Sequence, residues 1–231
     1  MKAIVLGATG GLGRAFVEAT GVSYEHVFAI GRQEMSFGDR VSCHRFDNVN
    51  TLAKIADEIK CHEDVELIVV AVGLLHSNLL SPEKRLQDCD GNALQSLYYS
   101  NTILPAMMMK YFLPCLSRST GKMMLLSAKV GSITDNRLGG WYGYRSSKAA
   151  LNMLVKTAAI EHKRLRPEHV IVAMHPGTVN TALSQPFHGH IPSSQILSPE
   201  ESVGDMMRTL ATISPEQSGC FLDRFGQTIP W

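Results

Sequence analysis

The sequence has no paired-cysteine motif, no run of one charge and no apolar stretch of membrane-spanning length. Each absence excludes something. Five cysteines, Cys43, Cys61, Cys89, Cys115 and Cys220, are scattered without a CxxC pair. They are expected as small buried hydrophobes in a reducing compartment, not as a disulfide framework or a metal cage. Lys and Arg number 22 against 21 Asp and Glu, a formal net charge of +1. That balance argues against nucleic acid or an anionic membrane as the main partner. The start, Met1 to Gly7, enters a short apolar run at once, too short for a signal peptide, so a cytoplasmic protein is expected. No repeat, low-complexity segment or linker divides the 231 residues, which are expected to form one domain spanning 1–231.

What is present is an alternation. Short apolar runs at Ala3–Leu6, Val27–Ile30, Val65–Val72, Lys122–Leu126 and Val170–Met174 are separated by segments long enough for crossover helices. Most of the runs lack polar alternation, as strands buried on both faces do. The pattern predicts an α/β fold: a doubly wound parallel sheet of Rossmann type in three α/β/α layers. Helices are predicted from Gly11, over about Asn92 to Leu116 with kinks or ends at Pro105 and Pro114, and from about Tyr142 to Leu165. Ser184 to Pro199, with its prolines, histidines and serines, is predicted to be a long loop of the kind that forms lids.

Gly7-Ala8-Thr9-Gly10-Gly11-Leu12-Gly13 follows a predicted strand and opens a predicted helix. A phosphate bound there needs backbone N–H donors at close range with a helix N-terminus behind them. Side chains would block the approach, so glycine is required at the nearest points. The second strand ends in Ala29-Ile30-Gly31-Arg32, with no carboxylate to bind a ribose 2′-hydroxyl. Arg32 offers a charge-assisted contact to a 2′-phosphate, so NADP(H) is expected in preference to NAD.

Tyr144 and Lys148 stand four apart, on one face of a helix. A tyrosine of ordinary pKa, ~10, is a poor acid–base group at neutral pH, and a nearby ammonium favours its phenolate. The pair suits proton donation to a carbonyl receiving hydride. His188-Gly189-His190 lacks further ligands at suitable spacing, and no metal is expected. Met107 to Met109, with Leu104, Ala106 and Tyr111, is expected to serve the core or a subunit contact.

With these motifs in order, the chain resembles the short-chain dehydrogenase/reductase family over nearly its full length. The matching pieces are Gly7-x-x-x-Gly11-x-Gly13, Asp47, Asn101, Tyr144-x-x-x-Lys148 and Pro176-Gly177-x-Val179-x-Thr181. Val130 to Asn136, Gly139 to Tyr142 and the ending Gly226 to Trp231 are similar to the branch of sniffer-type carbonyl reductases and C-factor signalling proteins. The resemblance implies that Tyr144 protonates the substrate oxygen and that Lys148 binds the nicotinamide ribose and tunes Tyr144. Asn101 would hold a water of a proton relay, and Asp47 and Asn48 would touch the adenine. Ala71, Val72 and Gly73 would line the cofactor cleft, with Pro176, Gly177, Val179 and Thr181 on the nicotinamide side. It also implies pairing of subunits through the Asn101 and Tyr144 helices, as a homodimer or homotetramer.

One departure bears on chemistry. The family's serine falls at Ala128. Ser127 precedes it but in an extended strand points the other way. Ser132, in the turn beyond, is the expected substitute. The expected function is NADPH-dependent reduction of an aldehyde or ketone. The rivals are an NADP-binding signalling protein with little turnover and an NAD-dependent alcohol dehydrogenase. The substrate pocket is expected from Leu74–Leu80, Ser132–Trp141 and Ala182–Leu197.

Overall fold

The structure is a computed structural model and describes residues 1–60 and 64–231; Cys61 lies outside the described residues. Among the described residues, Cys43, Cys89, Cys115 and Cys220 are free thiols. No described helix is long and apolar enough to cross a membrane.

Seven strands form one parallel sheet: β1 (Lys2–Leu6), β2 (His26–Gly31), β3 (Val41–Arg45), β4 (Val65–Val70), β5 (Gly121–Leu126), β6 (His169–His175) and β9 (Phe221–Asp223). Their order is β3-β2-β1-β4-β5-β6-β9. A separate parallel pair joins β7 (Thr178–Val179) to β8 (Ile196–Leu197). The predicted doubly wound sheet is therefore present, with edge strands β3 and β9 added to the five predicted runs.

The strands lack polar alternation because both faces are covered. Ile4 and Leu6 of β1 face α2 (Val49–Lys60), α4 (Leu104–Phe112) and α5 (Tyr142–Lys163). Ala3 and Val5 face α1 (Gly11–Ser23) and α6 (Pro199–Thr212). Phe16, Phe112 and Phe221 are fully buried between the layers, each contributing roughly 1.5–3 kcal/mol of transfer free energy. Met108 and Met109 belong to this core.

Two departures from expectation have physical causes. The strand predicted to reach Val72 stops at Val70, and Ala71, Val72 and Gly73 leave the sheet beside the end of β1. The helix predicted over Asn92–Leu116 is split. α3 (Gly91–Tyr98) and α4 are joined by a π turn over Tyr99–Ile103, where the Leu104 N–H bonds the Tyr99 carbonyl five residues back. Pro105 cannot give the N–H that α geometry would send to the Asn101 carbonyl, and the helix widens there. The long loop after Ser184 also holds more order than expected, with 3-10 turns at Gln185–His190 and Ser193–Gln195 before β8.

The sheet changes direction of growth between β1 and β4. In such folds the loops diverge at that point, and a crevice opens outside the carboxyl ends of the strands.

Candidate active site

The crevice begins with the β1–α1 turn. Gly7 adopts φ +90°, and a Cβ there would meet the Ala71 carbonyl at 2.6 Å. A Cβ on Gly13 would stand 2.0 Å from the Gly7 carbonyl, so only glycine lets α1 seat this close to β1. α1 starts at Gly10 with no side-chain cap, which leaves its first N–H groups directed at the crevice. Thr9 packs over Gly31 at the end of β2.

One part of the crevice, about 510 Å3, is lined by Thr9, Arg32, Gln33, Phe46 and Val72 among others. Arg32 is exposed there and makes no ion pair among the described residues. Asp47 and Asn48, expected against the adenine, do not line it. The Asp47 carboxylate is held by Arg45 at 2.9 Å, and the Asn48 Oδ1 accepts the Thr51 N–H at 3.1 Å to start α2. Their buried neighbour Phe46 lines the wall, and sequence reasoning passed over it and Gln33.

A second part, about 280 Å3, runs past Gly10, Gly11, Leu12, Ala71, Val72 and Gly73 to Tyr144, Lys148, Pro176 and Thr181. Gly73 keeps this floor open: its absent Cβ would stand 3.5 Å from Asn101 Oδ1 and 3.6 Å from Lys148 Nζ. Lys148 is 3% exposed, donates to the Leu126 carbonyl at 2.9 Å, and is lowered by burial to a pKa of about 8. It remains an ammonium at neutral pH.

Asn101 was expected to hold a water. Its amide instead donates to the Leu74 carbonyl at 2.8 Å and to Ser147 Oγ at 3.0 Å, while its oxygen accepts the Leu74 N–H at 2.7 Å. Both amide hydrogens are spent, so Asn101 ties the π turn to α5 and to the segment after β4. Thr102 reinforces the tie by donating to the Ser147 carbonyl.

Tyr144 lines both this crevice and a third cavity of about 420 Å3 that the nucleotide crevices do not include. Its side chain packs with Leu75, Leu80 and Leu97, and its hydroxyl makes no hydrogen bond among the described residues. Burial pushes the phenol above its ordinary pKa. The expected lowering by Lys148 is not what sets this group; desolvation does, and it keeps the phenol protonated.

The first turn of α5 is held from outside. Gly139, Gly140 and Trp141 all have positive φ, and Trp141 at φ +53° is strained. The Trp141 N–H donates to the Glu83 carbonyl at 2.6 Å, and the Gly143 N–H donates to the Glu83 carboxylate at 3.2 Å. Glu83 is 5% exposed and serves as the cap that α5 lacks at its own start. No local pattern in the sequence marks it.

The expected role of Ser132 is corrected. Its hydroxyl donates to the Pro230 carbonyl and accepts the Asp135 N–H at 3.0 Å, and it lines neither crevice nor cavity. Ser127 borders both but donates to Asn152 Oδ1 at 2.6 Å. Ala128 lines the cavity with a methyl group. Gly177 and Val179 face the cavity, while Pro176 and Thr181 border cavity and crevice alike.

A phosphate cradle at a sheet switch point, leading to a buried lysine and a phenol that opens onto a separate apolar cavity, is the layout of a dinucleotide-dependent oxidoreductase. The chain belongs to the short chain dehydrogenase family, whose profile matches residues 1–190. It is 34% identical over 148 residues to the C-signal of Myxococcus xanthus, covering 63% of this chain and 83% of that protein. In fold it is similar to the carbonyl reductase Sniffer of D. melanogaster, with a TM-score of 0.85 at 22% identity over 100% of this chain and 99% of that one. It is similar also to an NADPH-bound carbonyl reductase from chicken fatty liver, with a TM-score of 0.83 at 24% identity over 100% and 98%.

Proposed function

We propose that the chain reduces the carbonyl of an aldehyde or ketone to an alcohol with NADP(H), Tyr144 giving the proton. One observation carries this reading: a single unbonded phenol, kept protonated by burial, borders both the nucleotide crevice and a separate apolar cavity. The crevice suits a dinucleotide, because Gly7 and Gly13 let β1, α1 and Ala71 pack tightly behind it and the uncapped start of α1 at Gly10 and Gly11 borders it. When bound, the nicotinamide cofactor supplies the hydride.

The chain's own residues do the rest. Gly10, Gly11 and the open N-terminus of α1 receive the pyrophosphate. Arg32, with no acid beside it, receives a 2′-phosphate. Lys148 holds the nicotinamide ribose, with Pro176 and Thr181 beside the ring. Tyr144 hydrogen-bonds the substrate oxygen and releases its proton as that oxygen gains charge. At 128, where the family's serine would give a second donor, the chain offers only the methyl group of Ala128. A homodimer or homotetramer through α4 and α5 belongs to the same reading, as Met153 and Ile160 are exposed on α5 and Ile103 in the π turn that leads into α4. So does a cytoplasmic location.

A second reading, an NADP-binding signalling protein of slow turnover, draws on Ala128 and on the likeness to C-signal. NADPH and NADH oxidation against a panel of aldehydes, ketones and quinones separates the two. The expected result is turnover with NADPH, and a KM for NADPH raised at least tenfold (about 1.4 kcal/mol) in Arg32→Glu with little change for NADH. Tight NADPH binding without oxidation by any carbonyl would favour signalling.

A further inference from the structure

The cavity beyond Tyr144 has two unlike halves. Its floor is apolar and aromatic: Trp141 meets Phe187 edge-on at 5.0 Å and Tyr144 at 6.3 Å, with Val130 alongside and the exposed Leu138 at the mouth. Its rim carries Lys129, Arg137 and Arg145 against one carboxylate, Asp135. Three cations minus one acid is a formal +2, more than the +1 of the whole chain.

The three cations are not equivalent. Lys129 faces Asp135 at 3.7 Å. Arg145 is turned onto the backbone carbonyls of Gly139, Gly140 and Val130. Arg137 is exposed and has no ion pair or hydrogen bond among the described residues. It lines the cavity and neither nucleotide crevice, so the cofactor's phosphates do not account for it.

A flat apolar body on the aromatic floor leaves water, and its carbonyl lies toward Tyr144. A guanidinium at the mouth then has value only for a substrate with an anionic end, since its planar fork matches a carboxylate. We propose that Arg137 is a specificity-determining residue that selects carbonyl substrates bearing a carboxylate remote from the reacting group, with an apolar, aromatic body between. The inference rests on the reductase reading of the Tyr144 site.

The test compares 4-carboxybenzaldehyde with its methyl ester, two aldehydes alike but for the charge, in initial-rate assays with NADPH. The acid is expected to show a kcat/KM at least tenfold higher, carried by KM and shrinking with added salt. Arg137→Met is expected to bring the two substrates to parity through a raised KM for the acid, and Lys129→Met to leave the preference in place. An ester used as well as the acid by the unsubstituted protein, or a preference that survives Arg137→Met, overturns the proposal. If neither aldehyde turns over, binding decides the proposal, and the carbonyl panel decides the reductase reading separately. Trp141 fluorescence in a Trp231→Phe background reports it, these being the two tryptophans of the chain. Tighter binding of the acid, lost in Arg137→Met, upholds an anion-selecting cavity without turnover, and equal binding of both compounds rejects it.

Discussion

Tyr144 is placed where burial holds its proton on the phenol and where it borders both crevice and cavity. Burial raises its pKa, so it is an acid across the neutral range and becomes a base only with bound ligands or at high pH. The tyrosine and its lysine were legible in the sequence because four-residue spacing on a helix fixes a shared face. What the sequence could not give was their environment, and the expected control of the phenol by Lys148 gives way to desolvation. The absence of a hydroxyl at 128 was legible as well, but its remedy was not. Ser132 is drawn to Pro230, 98 residues away, a partner that no local pattern names. With Ser127 held by Asn152, the substrate oxygen lacks a second donor. Ala128→Ser is therefore expected to raise kcat on the order of tenfold or more, since single donors of this kind carry large rate effects. Steady-state kinetics check it, and an unchanged kcat would mean that another group already serves.

At the scale of elements, the β1–α1 turn was legible from its glycine spacing; the Gly13 contact with Gly7 is local, while those that constrain Gly7 and Gly11 come from Ala71 and Thr181, far along the chain. The N-terminus of α5 was not. Its left-handed approach through Trp141 is stabilised by Glu83, 60 residues before Gly143 and in a segment without helical or strand pattern. Asp47 and Asn48 show the converse, partners close in sequence: Arg45 two residues before Asp47 and Thr51 three residues after Asn48. Glu83→Ala leaves the Gly143 N–H buried and unpaired, at a cost of about 1–3 kcal/mol. It is expected to lower the midpoint of thermal unfolding and to depress kcat through displacement of Tyr144. Glu83→Gln keeps an acceptor oxygen and is expected to restore most of both. Calorimetry and initial rates on the two variants check this, and equal losses in both would show that the charge matters instead of the bond.

Across the whole molecule, the sheet switch point brings the ends of β1, β4, β5 and β6 together, and residues from all four gather around Tyr144. The sheet and its switch point could be anticipated from strand order. The division into nucleotide crevice and substrate cavity could not, because it depends on how 182–191 folds over Trp141. His175, at the end of β6 beside the cavity, is held neutral by burial with its pKa lowered to about 4, and its Nδ1 has no partner. Between pH 6.5 and 4 the unfolded chain binds a proton here that the folded chain does not. Stability is thus full above 6.5 and falls as the pH drops through 4. Denaturant unfolding at pH 7 and pH 5 is expected to show this loss, and His175→Gln to reduce it. An identical loss in the variant would place the acid sensitivity elsewhere.

The most direct check of the account is Tyr144→Phe, measured for both NADPH binding and carbonyl reduction. Removing one hydroxyl that has no hydrogen bond among the described residues is predicted to leave NADPH affinity within a few-fold and to cut turnover by at least a hundredfold, in line with loss of a positioned general acid. Turnover that persists near the original rate would contradict it.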